Sequence, residues 1–191
     1  MQKLILKHKN YLKFIVIILL LGLLTGIIYY SLLNNEIKDN IAETLLNYNN
    51  YRYNGIIKDL IIMSLLLVTS LFVIGIPCSL FYLFYESLSI GFLISIFFAS
   101  FKFSGLLYIL IYILINRVLL LILMIIFVRK VINISRYIIG FFIYRKETQI
   151  GNKIILNFEK SIYIIIFVLI INIFLYFISP SIFSNLAFLL K

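Results

Sequence analysis

The chain has 191 residues, of which 64% are hydrophobic and 13% are charged, and its formal net charge is +10. A water-soluble domain is nearer half apolar and a quarter charged, so much of this apolar surface must face lipid. The composition therefore argues against a soluble enzyme. The basic residues flank apolar segments and form no separate patch, so membrane lipid explains them better than nucleic acid does.

Five apolar stretches are each about as long as a membrane-crossing helix, which needs roughly 20 residues. In chain order they are 14–33, 56–76, 79–100, 106–128 and 161–178. They predict an all-α membrane protein in which 1–191 form a single transmembrane domain, a bundle of about five helices. The apolar run 56–100 is too long for one crossing, so Gly75 and Pro77 are predicted to form the turn of a helical hairpin. Pro180 is predicted to end the fifth helix.

The orientation follows from the lysines and arginines before, between and at the ends of the spans, since these residues are enriched on the cytoplasmic side of a membrane. Eleven of them lie before the first span or in the basic stretch 129–160, and five lie in the segments on the other side. We therefore expect the N-terminus inside, the C-terminus outside and 129–160 in the cytoplasm. Lysines outnumber arginines twelve to five, a bias typical of AT-rich bacterial genomes, so we expect a multi-pass protein of a bacterial cell membrane.

The segment 34–54 is polar and, in this orientation, forms an external loop. Asn40 followed by Glu43 has the spacing of a capping box and predicts that a short helix begins there. Further along, Tyr48, Tyr51 and Tyr53 would offer an aromatic surface for a protein partner. A merely solvated loop is the alternative.

The beginning of the basic stretch carries apolar residues at helical spacing. These residues are Val131, Ile134, Ile138 and Phe141. The pattern fits an amphipathic helix on the inner membrane surface. It fits equally well a cytoplasmic extension of the fourth span, and the sequence leaves both alternatives open.

Two ionisable residues, Glu86 and Arg117, lie inside predicted spans three and four. Such groups are costly at membrane depth and usually face a partner or a cavity. Both are predicted to lie in the inner half of the bilayer on neighbouring antiparallel helices, so we favour an ion pair that fixes the helix register. A substrate or proton site is the alternative.

Gly22 and Gly26 have the G-x-x-x-G spacing that lets two membrane helices approach closely. The sequence carries no phosphate-binding loop, zinc-protease motif or nucleophile elbow, and it has one histidine and one cysteine. We therefore expect no enzymatic activity, no metal and no cofactor.

Three short motifs carry a family resemblance. They are Val73–Pro77, Tyr85–Phe92 and Phe103–Gly105, within a similar region of roughly 14–140. In these motifs the chain resembles the stage II sporulation protein M family. The resemblance implies a polytopic membrane scaffold that anchors peptidoglycan-remodelling partners, wall hydrolases at the outer face, during spore engulfment. It also implies an alternative, a membrane component of peptide or small-molecule export and immunity of the circular bacteriocin type. Partner identity and homo-oligomerisation are left open.

Overall fold

The structure of the protein, a computed structural model, describes residues 2–46, 55–144 and 150–186. Within these residues every regular element is a helix, which confirms the predicted all-α class. In chain order the elements are α1 Gln2–Ser31, α2 Asn35–Leu46, α3 Gly55–Thr69, α4 Gly75–Ile113, a π-helical turn Leu114–Val118, α5 Leu119–Tyr144 and α6 Ile150–Leu186.

Three of the described helices are long and apolar enough to cross a membrane, which supports the membrane assignment. The stretches that are long and apolar enough are Lys13–Ser31 of α1, Gly75–Ile113 of α4 and Ile150–Ile178 of α6. Their outward side chains are large and apolar, as at Leu24, Phe81 and Phe167. Exposing such apolar side chains to water is unfavourable, whereas exposing them to lipid acyl chains is not.

Helix α4 is interrupted at Lys102, where φ is 54° and ψ is −130°. After this residue the chain folds back, because the ring of Tyr108 stacks on that of Phe97 with their centroids 5.6 Å apart. Eleven residues of a continuous helix would separate them by roughly 16 Å along its axis. The boundary predicted between 79–100 and 106–128 is therefore a helical hairpin with Lys102 at its tip.

The turn before α4 lies at 70–74, so its predicted position at Gly75 and Pro77 is wrong by a few residues. Gly75 and Pro77 lie in the first turn of α4. Amide groups there have no partner within the helix, so a proline loses no hydrogen bond. The predicted interruption is present, but Gly75 and Pro77 mark the start of the helix that follows it.

Two other predicted helix ends are also wrong. Helix α2 begins at Asn35, and the carbonyl of Asn34 accepts hydrogen bonds from the amides of Ile37 and Lys38 at 3.1 Å each. Asn40 is therefore inside the helix and does not cap it. Helix α6 continues through Pro180 to Leu186, since proline is tolerated in apolar helices where the freed backbone groups find other partners.

Helix α5 continues unbroken through 129–144, which favours the extension of the fourth predicted span over a separate surface helix. Val131 and Ile134 on the apolar stripe are completely buried, and Phe141 near its end is exposed. The stripe therefore packs within the protein along most of its length.

The described residues divide into two compact units, and the single transmembrane domain stays a prediction. Unit 1 contains α1, α2 and the 80–111 part of α4. Unit 2 contains α3, the 70–74 turn, the first residues of α4, the π-helical turn, α5 and α6. In unit 2, α6 packs against both α5 and α3.

The hairpin tip yields a first prediction. A positive φ costs a lysine of order 1–3 kcal/mol, and glycine avoids that cost. We expect Lys102→Gly to raise the free energy of unfolding by about 1 kcal/mol, measured by thermal unfolding in neutral detergent. Lys102→Ala also removes the long side chain but keeps the Cβ, so it should bring no gain. Equal stabilisation by both variants would show that the charge matters and the backbone does not.

Candidate functional site

In unit 1, α1 and α4 approach each other at glycines. A Cβ on Gly22 would lie 2.8 Å from the Ser87 Cβ, and one on Gly26 would lie 2.8 Å from the Phe92 backbone nitrogen. From the other side, Gly91 of α4 meets the Leu23 carbonyl. The structure thus brings both predicted packing glycines onto one helix–helix contact, where any larger residue would collide with backbone.

The contacts between α1 and α4 also show that the two helices run in the same direction. Positions along α1 meet positions along α4 in ascending order, with Gly22 beside Ser87, Gly26 beside Phe92, and the rings of Tyr29 and Tyr30 each within 6 Å of the Phe92 ring. Helices whose contacts advance together run parallel. The Ser87 hydroxyl also donates to the Leu19 carbonyl. Ser87 was missed, although Ser87 and Gly91 repeat the small-residue spacing of Gly22 and Gly26.

The glycine contact yields a second prediction. Gly26→Ala places a methyl group against the Leu88 carbonyl, and such overpacking typically costs about 1–3 kcal/mol. Gly140 is the matched control, because it lies inside α5 and a Cβ there would meet nothing within 4 Å. Gly140→Ala should stabilise the protein by about 0.5–1 kcal/mol. Thermal unfolding of both variants in neutral detergent checks the pair, and similar shifts would contradict the assignment of Gly26 to a tight contact.

Glu86 and Arg117 both lie on helical segments, and the side chains of both are at least partly buried. Glu86 is buried in unit 1, where its Oε1 accepts a hydrogen bond from the Tyr82 hydroxyl at 3.3 Å. Arg117 is in the π-helical turn of unit 2, and its Nε atom is buried. Their pairing stays a prediction. Sequence reasoning missed Tyr82, although a tyrosine one helical turn before a buried carboxylate is a suitable donor.

Unit 2 contains a buried polar contact that the sequence did not indicate as such. The Asn172 Nδ2 of α6 donates to the Asp59 Oδ2 of α3 at 3.1 Å, and both side chains are buried. Sequence reasoning missed Asp59. The signal that could have found it is a carboxylate near the start of an apolar run, because a carboxylate in such surroundings is unfavourable unless it has a hydrogen-bond or ionic partner.

A second polar contact in unit 2 secures the turn at 70–74. The Ser135 hydroxyl of α5 donates to the Ser70 carbonyl at 2.9 Å, and both serines are completely buried. A Cβ on Gly75 would lie 2.5 Å from the Ser135 Oγ. Gly75 therefore leaves room for α5 to reach the carbonyl at the end of α3.

The Asp59–Asn172 contact yields a third prediction. Removing one partner leaves the other buried with one hydrogen bond fewer, which typically costs about 1–3 kcal/mol. Asp59→Leu and Asn172→Leu should each destabilise the protein, and the double variant should lose at least about 0.5 kcal/mol less than their sum. Asn157 is the control, since its amide donates to Lys153 of its own helix at 2.7 Å. Asp59→Leu with Asn157→Leu should be additive, and coupling there would undermine the assignment.

Lys130 is a partly buried basic residue of α5, the helix that packs against α6 in unit 2. The pKa of Lys130 lies below its ordinary value because the side chain is partly buried and because the positive charges of Lys160 and Arg129 are close. Lys130 and Arg129 follow directly on Val128, which is fully buried.

Tyr48, Tyr51 and Tyr53, the predicted partner surface, lie outside the described residues. Among the residues that the structure describes, no group of three His, Cys, Asp or Glu side chains could hold a metal ion. Comparison with protein-family models, curated proteins and solved structures gave no match.

Proposed function

We propose that this protein is a non-enzymatic, polytopic membrane scaffold that holds protein partners at the outer face of a bacterial cell membrane. The observation that carries the proposal is that buried polar side chains form hydrogen bonds between helices. Ser87, Ser135 and Asn172 each donate a hydrogen bond to another helix of the same unit or to the turn beside it. These groups hold helices together, which suits a protein whose task is to be a firm membrane platform.

The proposed topology has five crossings with the N-terminus inside and the C-terminus outside. The parallel contact between α1 and α4 supports it, because two parallel crossings require the chain to return across the membrane between them. Helix α3 is the element available for that return. Its 15 residues span about 22 Å, so the bilayer would have to be thin there or the flanking residues would have to contribute. The reversal at Lys102 supports a further crossing through the π-helical turn and α5.

The proposed partner surface is the loop with Tyr48, Tyr51 and Tyr53, which this topology puts outside. Aromatic side chains are enriched in protein interfaces because they bury much area at little entropic cost. The resemblance to the stage II sporulation protein M family is the ground for wall hydrolases as partners and for a role in engulfment. Homo-oligomers are compatible with the same scaffold.

A second candidate is a membrane component of peptide or small-molecule export and immunity. The observation that favours it is the π-helical turn Leu114–Val118, which contains Arg117. Single π-helical turns within α-helices occur frequently at functional sites, and ionisable residues at membrane depth often mark a transport path. In that function Arg117 would act on a solute, and Arg117→Leu would abolish export at normal protein levels.

The fourth prediction tests the scaffold in intact cells with a membrane-impermeant, amine-reactive crosslinker. Lys38 and Lys58 supply amines on either side of the proposed partner loop. We expect crosslinked partner complexes from the unaltered chain. Replacement of 47–54 by a Gly/Ser linker should abolish them without lowering the amount of protein in the membrane, because the aromatic contacts are gone.

The control replaces 145–149, which the proposed topology puts inside, by a Gly/Ser linker. This variant and Arg117→Leu should give unchanged crosslinks. Equal crosslinking after replacement of 47–54 would refute the partner loop. Crosslinks that form only in inside-out vesicles would reverse the orientation, and loss of export in Arg117→Leu with intact crosslinks would favour the second candidate.

A further inference from the structure

The turn between α3 and α4 in unit 2 exposes a run of large apolar residues. Each of the four keeps 45–62% of its surface exposed, and they are Leu71, Phe72, Val73 and Ile74. Turns that face water are normally rich in glycine, proline, asparagine, aspartate and serine. The turn between α1 and α2 fits that rule better, since it ends at the exposed Asn34. The turn at 70–74 therefore lacks the composition of a turn that faces water.

The polar groups next to these apolar residues are bonded within unit 2. The amides of Leu71 and Phe72 donate to the carbonyls of Val68 and Thr69 at 3.1 and 3.0 Å. The neighbouring hydroxyls also donate to carbonyls of the unit, and they belong to Thr69, Ser70, Ser79 and Ser135. Polar groups that are already bonded can lie close to hydrocarbon at little cost.

The sequence around the turn offers no charge to a protein partner. No charged residue occurs between Asp59 and Glu86. Interfaces between proteins have a hydrophobic core surrounded by a polar rim. Lipid acyl chains need no such rim, so they fit this surface better than a protein does.

The length of α3 indicates where the turn lies in the proposed topology. Its 15 residues span about 22 Å, whereas the hydrocarbon core is about 30 Å thick. A helix of this length that begins at the outer boundary ends within the inner leaflet. Backbone groups of a turn that have no protein partner need water or headgroup oxygens, so the turn belongs near the headgroups and not at the centre of the bilayer.

We propose that Leu71–Ile74 insert into the acyl chains of the inner leaflet, close to the headgroups, and complete the crossing that α3 begins. The contact with acyl chains rests on the membrane location in the proposed function, and the choice of leaflet rests on its topology. Neither depends on the partner loop. The hydrogen bond from Ser135 of α5 to the Ser70 carbonyl holds the start of the turn against the rest of unit 2.

The test is tryptophan fluorescence of the purified full chain in vesicles of phosphatidylcholine and phosphatidylglycerol, because the unaltered chain has no tryptophan. Phe72→Trp places the probe on the turn, and Asn34→Trp places it on the turn between α1 and α2. Brominated acyl chains quench a tryptophan that they contact, and iodide quenches one that water reaches. Brominated lipid should quench Phe72→Trp several times more strongly than Asn34→Trp, and iodide should quench it several times less.

A third variant calibrates the depth. Phe167 is exposed within the apolar stretch Ile150–Ile178 of α6, so Phe167→Trp should be quenched most by bromines near the ends of the acyl chains. Phe72→Trp should be quenched most by bromines near the headgroups. Val73→Trp repeats the measurement at the next exposed residue and replaces Phe72→Trp if that variant does not fold.

Two outcomes would overturn the inserted turn. Iodide quenching of Phe72→Trp equal to that of Asn34→Trp would put the turn in water, and protection from both quenchers would show that protein covers it. If Phe167→Trp also escaped the brominated lipid, the membrane location itself would be wrong. A reversed orientation would change the leaflet without changing the quenching, and the crosslinking detects it separately.

Discussion

Polar groups within long apolar helices have to find their partners inside the protein, and the rest of this structure depends on that constraint. Lipid tails offer no hydrogen bonds, so a buried hydroxyl, amide or carboxylate without a partner costs several kcal/mol in such surroundings. Some buried serines, such as Ser79 and Ser161, donate to a carbonyl of their own helix. Three other polar side chains meet the constraint by reaching across to another part of the same unit. The Ser87 hydroxyl donates to α1, the Ser135 hydroxyl donates to the turn at 70–74, and the Asn172 amide donates to Asp59 of α3. Each contact satisfies a polar group and also sets which helix surfaces meet.

The hydrogen bonds between helices also require the helix backbones to approach closely. Between apolar helices in lipid the hydrophobic effect gives little attraction, so van der Waals contact and short hydrogen bonds must supply it. Gly22, Gly26 and Gly91 let α1 and α4 come near enough for Ser87 to reach a backbone carbonyl. Gly75 does the same for Ser135 and the turn at 70–74. In both units a glycine and a serine act together, because the missing side chain of the glycine allows the close approach that the hydrogen bond of the serine needs.

Charge is placed differently from these neutral contacts. Basic residues gather on the cytoplasmic side of the proposed topology, as the general bias for membrane proteins requires. Among the described residues, partial burial of Lys130 and the positive charges of Lys160 and Arg129 lower the pKa of that lysine.

The sequence by itself determined the helical class, the apolar stretches and the interruption at Lys102, because helix formation in apolar segments depends on local composition and length. It also indicated Gly22 and Gly26, since the G-x-x-x-G spacing is local. Helix ends at Asn40, Gly75 and Pro180 could not be placed, because capping and proline signals are compatible with several positions along a helix. Only the tertiary structure decided that α1 packs directly against α4 and that Asn172 meets Asp59. These contacts join residues far apart in the chain, and the periodicity of one segment carries no information about the register of another.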